Sequence, residues 1–481
     1  MTSADSPVGS SSFRDPENTA VFHDGTWFRV CAPSSAAALT KLRDSTLYTE
    51  WVSSGRLVAF EPVSADVAER VVATIGDGRR LVASPTVFSV EPVDVITYPW
   101  EWPNSLLAAA ARLTLDLRTQ LLGIGLDLKD ASAFNVQFRG LNPVFIDLGS
   151  IEEWRPNPSW NASRQFIEHF INPLAIGSGD HVTASDAWEM GGRRGVRSDV
   201  ARQLLPKRQR RRMSLWLLQA TTKPVAKNAP SETAHGDAAA RNPDLARNAT
   251  LSLTRRLGKQ VTALQGGKHL TTWHDYGSRD HYESDDLDRK SQLTRAFVEQ
   301  GESRRRLVLD VGGNDGLTAG NLIRGLGARV LVLDADAGAL DVLYSTLSTD
   351  PALSGSVMPL LGDITNLTAA SGLLDSEFSA FTARIRPTAV TCQAVLHHVV
   401  ITQGTPMDLA VEALSRFGAP VQVEFATEDD PKVLLLLKQI PNWSGDYSVA
   451  ELIAALERRF THVEQAGTTS ATRVVVNAWN D

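Results

Sequence analysis

With 481 residues, 43% of them hydrophobic and 21% charged, the chain has the apolar content for two or three domains, each with a full core. A net charge of −7 and an isoelectric point near 5.9 argue against nucleic acid as the main partner, because phosphate neutralisation needs a basic face. No apolar run reaches membrane-span length and the first ten residues lack basic and apolar signal regions, so the expectation is a cytoplasmic protein.

Residues 1–20, rich in Ser, Asp and Pro, read as a disordered lead-in. From Val21 to Glu91, strand-like runs at Trp27–Val30, Leu57–Phe60 and Thr86–Val90 flank a helical stretch near Ala36–Trp51, which predicts a small α/β lobe. Cys31 in this lobe and the distant Cys392 have no metal spacing around them and read as free buried thiols. Tyr98–Pro103 (YPWEWP) is a stiff aromatic connector, and Ser105–Gly123 has the periodicity of an amphipathic helix.

Leu128–Asn135 (LKDASAFN) is followed by Pro143–Gly149 (PVFIDLG). An acid, an Asn five residues later and an apolar strand closing on Asp-Leu-Gly resemble a kinase catalytic loop and its metal-binding turn. By that resemblance Asp130 orients or deprotonates a hydroxyl, while Asn135 and Asp147 hold magnesium against phosphates. The rest of that machinery is not visible: no Gly-x-Gly-x-x-Gly loop precedes it, and Lys41, the only lysine before Lys129, falls in a helix-like run. The other reading makes Asp130 and Asn135 braces of a buried loop and Asp147 a turn residue. Both stand at the level of sequence.

Residues 150–226 read as mainly helical, with Trp160–Ile176 and Asp186–Leu218 the best helices. The basic run Lys207–Arg212 is either a solvated face or a patch for an acidic partner. Composition then shifts to an aperiodic linker, placed at 222–250, and no internal repeat occurs. Aromatic residues at Thr272–Tyr282 precede a helix running to about Gln300, and Tyr276 and Tyr282 are candidates to close over a nucleoside or to pack that helix on a sheet.

Leu307–Gly316 (LVLDVGGNDG) then reads as a strand, a glycine turn and the start of a helix. A second apolar run, Arg329–Asp334, ends on an acid suited to the hydroxyls of a ribose. Asp310 and Asp315 flank the turn and would repel a pyrophosphate, whereas S-adenosylmethionine carries a sulfonium and an ammonium. Here the stretch resembles motif I of class I S-adenosylmethionine-dependent methyltransferases, with Asn314 where the middle glycine usually stands. Further strands are expected near Val357–Leu361, Ala389–Cys392 and Val421–Phe425, with helices between them and an antiparallel hairpin at Phe460–Val463 and Arg473–Trp479. The fold class is therefore α/β: a C-terminal doubly wound, mostly parallel, Rossmann-like sheet, preceded by an α+β kinase-like region.

The methyltransferase resemblance assigns a site. Asp310, Gly312, Asn314 and Gly316 belong to the turn beside the methionine part, Asp334 to the ribose, and Asp363 with Ile364 to the adenine. Gln393 through His398 closes the pocket near the transferred methyl. His397 and His398 are candidate bases or wall residues, and two adjacent histidines do not make a metal grip. Glu424 is a further candidate acceptor-orienting group or base, and with Asp429–Pro431 after it also fits the cap signal of a helix at Lys432–Lys438.

Taken together, Ile96–Trp102, Leu128–Gly140, Pro143–Asp147, Phe166–Phe170 and Leu396–His398 resemble a bacterial family with a kinase-like N-terminal region and a class I methyltransferase domain, related to host-specific nodulation methyltransferases. The resemblance implies methyl transfer to an oxygen or nitrogen of a small molecule or glycan precursor. It leaves the N-terminal region, placed at 21–221, as an acceptor-recognition domain, a working phosphotransferase or a pseudokinase-like partner-binding module. The methyltransferase domain is placed at 251–481. Oligomeric state has no signal in the sequence.

Overall fold

The computed structural model describes residues 15, 17–75, 84–156, 159–179, 182–205, 242–265, 284–300, 306–440 and 443–481. Two compact units result: Met1–His269 with Ser371–Phe378, and Leu270–Ala370 with Ser379–Asp481. The expected boundary at 251 falls inside a helix of the first unit, Pro243–Leu264. Among the described residues, no helix is long and apolar enough to cross a membrane.

The first unit opens with an antiparallel sheet of β1 (Asn18–His23), β2 (Thr26–Cys31), β3 (Phe60–Pro62) and β4 (Thr86–Val90), in the order β1-β2-β4-β3. β1 starts inside the stretch read as a disordered lead-in. Val21, Phe28, Val30, Val71 and Val87 fill the core beneath it, and Cys31 is a free buried thiol there. The helical stretch expected at Ala36–Trp51 breaks into Pro33–Arg43 and Thr46–Ser53, with the Ser45 hydroxyl donating to the carbonyl of Leu42 between them.

Helix Asn104–Gly123 is buried on almost every side, as its alanine and leucine content requires. Its one fully buried charge, Arg118, donates to both Asp127 oxygens at 2.7 and 3.0 Å and also to the Thr254 hydroxyl. That last contact fixes helix Pro243–Leu264 in this unit. Two antiparallel pairs follow, β5 (Leu126–Leu128) with β8 (Ile151–Glu153) and, between them in the chain, the hairpin of β6 (Val136–Arg139) with β7 (Asn142–Phe145). Segment Ser371–Phe378 belongs to this unit although it lies far along the chain. Phe378 stacks on Phe134 and meets Tyr98 and Trp100 edge-on.

The second unit is built on a seven-stranded sheet: β9 (Leu307–Val311), β10 (Arg329–Asp334), β11 (Val357–Leu361), β12 (Ala389–Gln393), β13 (Val421–Ala426), β14 (His462–Ser470) and β15 (Arg473–Trp479). The order is β11-β10-β9-β12-β13-β15-β14. The first five are parallel, and β15 runs antiparallel between β13 and the edge strand β14. Helices cover both faces, so the inner strands are continuous apolar runs rather than alternating ones. The order reverses between β9 and β12, and a doubly wound sheet opens its ligand crevice at that reversal, outside the strand carboxyl ends. This is the doubly wound, mostly parallel sheet expected from the sequence, its antiparallel C-terminal hairpin included.

Candidate cofactor and acceptor site

β9, β10, β11 and β12 end around one cavity of about 450 Å³. The turn after β9 is tight: Gly312 has φ +69°, and a Cβ there would stand 2.2 Å from Val395 Cγ2, so packing beneath the loop excludes any side chain. Asn314 adopts φ +48°, the left-handed conformation that an Asn tolerates where the family pattern has glycine. Its backbone N–H donates to Asp334 Oδ2 at 2.9 Å, while Asp336 N–H donates to Asp334 Oδ1 at 2.8 Å. The strand-end acid is thus oriented by two backbone groups.

Four carboxylates line the cavity: Asp310, Asp315, Asp334 and Asp363. Asp310 is fully buried, its Oδ1 accepts from the Thr391 hydroxyl at 2.7 Å, and its Oδ2 has no partner among the described residues. Burial raises its pKa to about 6 against the opposing pull of Thr391 and Lys290. Asp334 is also raised to about 6, by burial first, with the Asp336 charge adding to it and the backbone donors opposing it. Asp363 sits at the rim, accepting from Thr365 N–H at 2.8 Å and from Gln403 Nε2 at 2.9 Å. Ile364, 7% exposed, lies beside it.

Gln393 ends β12 and is locked between helices: Thr318 Oγ1 donates to its Oε1 at 3.0 Å and its Nε2 donates to Thr294 Oγ1 at 2.6 Å. His397 and His398 follow, at the start of a π-helical turn, His398–Thr402, with ring centroids 4.1 Å apart. His397 is 2% exposed, and its Nδ1 has no partner among the described residues. Burial, with His398, Arg473 and Lys432 adding to it, lowers the His397 pKa to about 2. Burial and then Lys432 bring His398 to about 4. Both rings are neutral at physiological pH, so they accept or donate hydrogen bonds but are weak proton acceptors.

Of the residues expected at the site, Asp310, Gly312, Asn314, Asp334, Asp363, Ile364, Gln393, His397 and His398 line the cavity. Gly316 does not. It caps the following helix at φ +77° with Leu343 packed against it. Glu424 is a correction to the expectation of a base. It lies behind the wall at 1% exposure, taking Lys290 Nζ at 2.8 Å on Oε2 and Thr469 Oγ1 at 2.6 Å on Oε1. Burial works against its charge, but Lys290, Thr469 and Arg473 outweigh that and hold it below the usual range. Asp430 caps helix Pro431–Gln439 through Lys432 N–H and accepts from Arg473 Nε at 3.1 Å. Tyr276 and Tyr282 lie outside the described residues.

Lys290, Thr294, Gln403 and Arg473 also line the cavity and were missed. Lys290 and Thr294 are spaced i, i+4 on helix Ser284–Glu299, a signal that was legible. Of the lining cations Lys290, Arg295 and Arg473, the first and last are matched by Glu424 and Asp430, so the four lining carboxylates outnumber the remaining Arg295 and set the sign of the cavity. It therefore favours a cationic ligand and disfavours a phosphate.

In the first unit the loop read as kinase-like is internally satisfied. Asp130 Oδ1 accepts from Ser132 N–H at 2.7 Å and from Asn135 Nδ2 at 3.1 Å. Asp147 pairs with Arg29 Nη2 at 3.2 Å, and burial, offset by Arg29 and reinforced by Asp130, raises its pKa. Lys41, on its helix, reaches the Gly125 carbonyl at 3.4 Å. Among the described residues no group of three or more His, Cys, Asp or Glu is arranged to hold a metal.

No protein-family model matches the chain. Nodulation protein NoeA of Rhizobium meliloti (strain 1021) is 27% identical over 454 residues, 94% of this chain and 91% of that protein. The chain is related to this nodulation protein along nearly its whole length. Among solved structures, magnesium protoporphyrin IX methyltransferase of Synechocystis PCC 6803 with bound SAH is 16% identical, covering 41% of this chain and 84% of that one at a TM-score of 0.30. The bifunctional kinase-methyltransferase WbdD is 19% identical over 40% of each chain at 0.31. Neither structural likeness bears on what this chain binds or does.

Proposed function

We propose that the second unit binds S-adenosylmethionine and transfers its methyl group to an oxygen or nitrogen of a small-molecule or glycan-precursor acceptor. The observation that carries this reading is the set of carboxylates at three successive strand ends, Asp310, Asp334 and Asp363, around one cavity in which, with Asp315, the acids outnumber the cations not matched by Glu424 and Asp430. Asp334, pre-oriented by Asn314 and Asp336, accepts from the ribose hydroxyls. Asp363 accepts from the adenine amino group with Ile364 against the ring. Asp310, whose Oδ2 is unpartnered among the described residues, faces the ammonium end.

When bound, the cofactor would supply an electrophilic methyl on a sulfonium. The chain's own part is alignment and exclusion of water. Gln393, held by Thr294 and Thr318, fixes the wall beside the reacting end. The neutral His397 ring offers Nδ1 to orient an acceptor hydroxyl or amine. Its low basicity favours this positioning role over proton abstraction.

For the first unit we infer a kinase-like domain that recognises the acceptor or a partner. The Arg29 guanidinium against Asp147 favours this over phosphotransfer, which requires a divalent cation at that carboxylate. Calorimetric titration of the full chain with S-adenosylmethionine tests the main reading. Micromolar binding is expected, and no binding at millimolar ligand would overturn it.

A further inference from the structure

A purine is read at its edge, and the edge of this cavity carries a second acceptor. Gln403 follows the π-helical turn after β12, and its Nε2 donates to Asp363 Oδ2 at 2.9 Å. That bond fixes the amide orientation, because the flipped amide would set its oxygen against a carboxylate. Gln403 Oε1 is therefore the remaining acceptor of the amide, and among the described residues its hydrogen-bond partner is the Thr365 hydroxyl, at 3.3 Å. That hydroxyl has one proton and lies closer to Asp363 Oδ1, at 2.8 Å. Asp363 Oδ2 keeps a second lone pair, so the rim presents two acceptors from two loops, one after β11 and one after β12. Ile364 forms the apolar surface beside them.

We propose that Gln403 is a specificity-determining residue that, with Asp363, selects a purine carrying an exocyclic amino group over one carrying an oxygen there. The inference rests on the cofactor reading above. An amino group brings two N–H donors to two acceptors, whereas a 6-oxo purine would set its oxygen against both. The Nε2–Oδ2 bond also joins the two loops, so the acceptor pair is organised before a ligand arrives.

The test is calorimetry on the full chain with S-adenosylhomocysteine and S-inosylhomocysteine, which differ at that ring position. Wild type should prefer the adenosyl ligand by about 30-fold or more, and Gln403→Ala and the bulk-retaining Gln403→Leu should both reduce the ratio to about 5-fold or less. A ratio unchanged in both variants, or equal weakening of both ligands, would overturn the assignment. Failure of wild type to bind S-adenosylhomocysteine at all would overturn the methyltransferase reading itself, an outcome distinct from an insensitive ratio.

Discussion

The backbone N–H of Asn314 points at Asp334 Oδ2 from 2.9 Å, so the turn after one strand holds the acid at the end of the next. Two loops distant in sequence share one carboxylate. Replacing Asp334 with Ala should weaken S-adenosylmethionine binding roughly tenfold or more through loss of the ribose acceptor. Asp334→Asn should fail almost as badly, because its amide presents a donor to one of two backbone donors. Unchanged affinity in Asp334→Ala, measured by calorimetry, would remove the residue from the site.

Acidity gives a second measurement. A carboxyl raised from 3.8 to about 6 binds its proton more tightly in the native state. The stability that Asp310 and Asp334 contribute is full below the unfolded value and is lost as pH rises through about 6. Ligand-free protein should therefore lose this contribution between about pH 4 and 6. A cationic ligand has the opposite sign, since it needs the ionised acids. Affinity for S-adenosylmethionine should rise from pH 5 to pH 7 and then level off, and Asp310→Asn should flatten part of that slope.

The Lys290–Glu424 pair is buried on the acid's side and part of the cavity wall on the lysine's. Removing only the acid, by Glu424→Ala, takes away the buried carboxylate that Lys290 reaches at 2.8 Å and should cost about 3 kcal/mol in urea-monitored stability. The double change Lys290→Met with Glu424→Gln should be milder than the sum of its parts, since no charge is left unmatched. Strict additivity would mean that the two side chains do not stabilise one another.

Arg29 yields a prediction about the first unit. With its guanidinium on Asp147, wild type should show no magnesium-dependent ATP binding up to millimolar nucleotide by calorimetry. Tight binding, lost in Asp147→Asn, would instead restore the phosphotransferase reading.

The strands β9, β10 and β11 were legible because each is an apolar run closed by a turn of Gly, Asn or Asp, and Asp334 and Asp363 were legible as the acids at two of those closures. Glu424 was misread for a physical reason. β13 is buried along its whole length, so no alternation says which side chains face the cavity and which face the packing behind it. Gln403 and Arg473 left no trace in the pattern. One reaches the rim through a π-helical turn, the other from a strand that enters the sheet backwards. The helix at 243–264 was read as linker and domain start because what fixes it in the first unit is a contact between Thr254 and Arg118, 136 positions earlier.

Segment Ser371–Phe378 means that the polypeptide leaves the first unit, returns to it for eight residues and leaves again. A cut near position 270 would not yield two independent cassettes. The upstream fragment would lose the phenylalanine seated among Tyr98, Trp100 and Phe134, and the downstream fragment would expose that ring to water. A split of the chain would therefore have to supply Ser371–Phe378 to the upstream fragment.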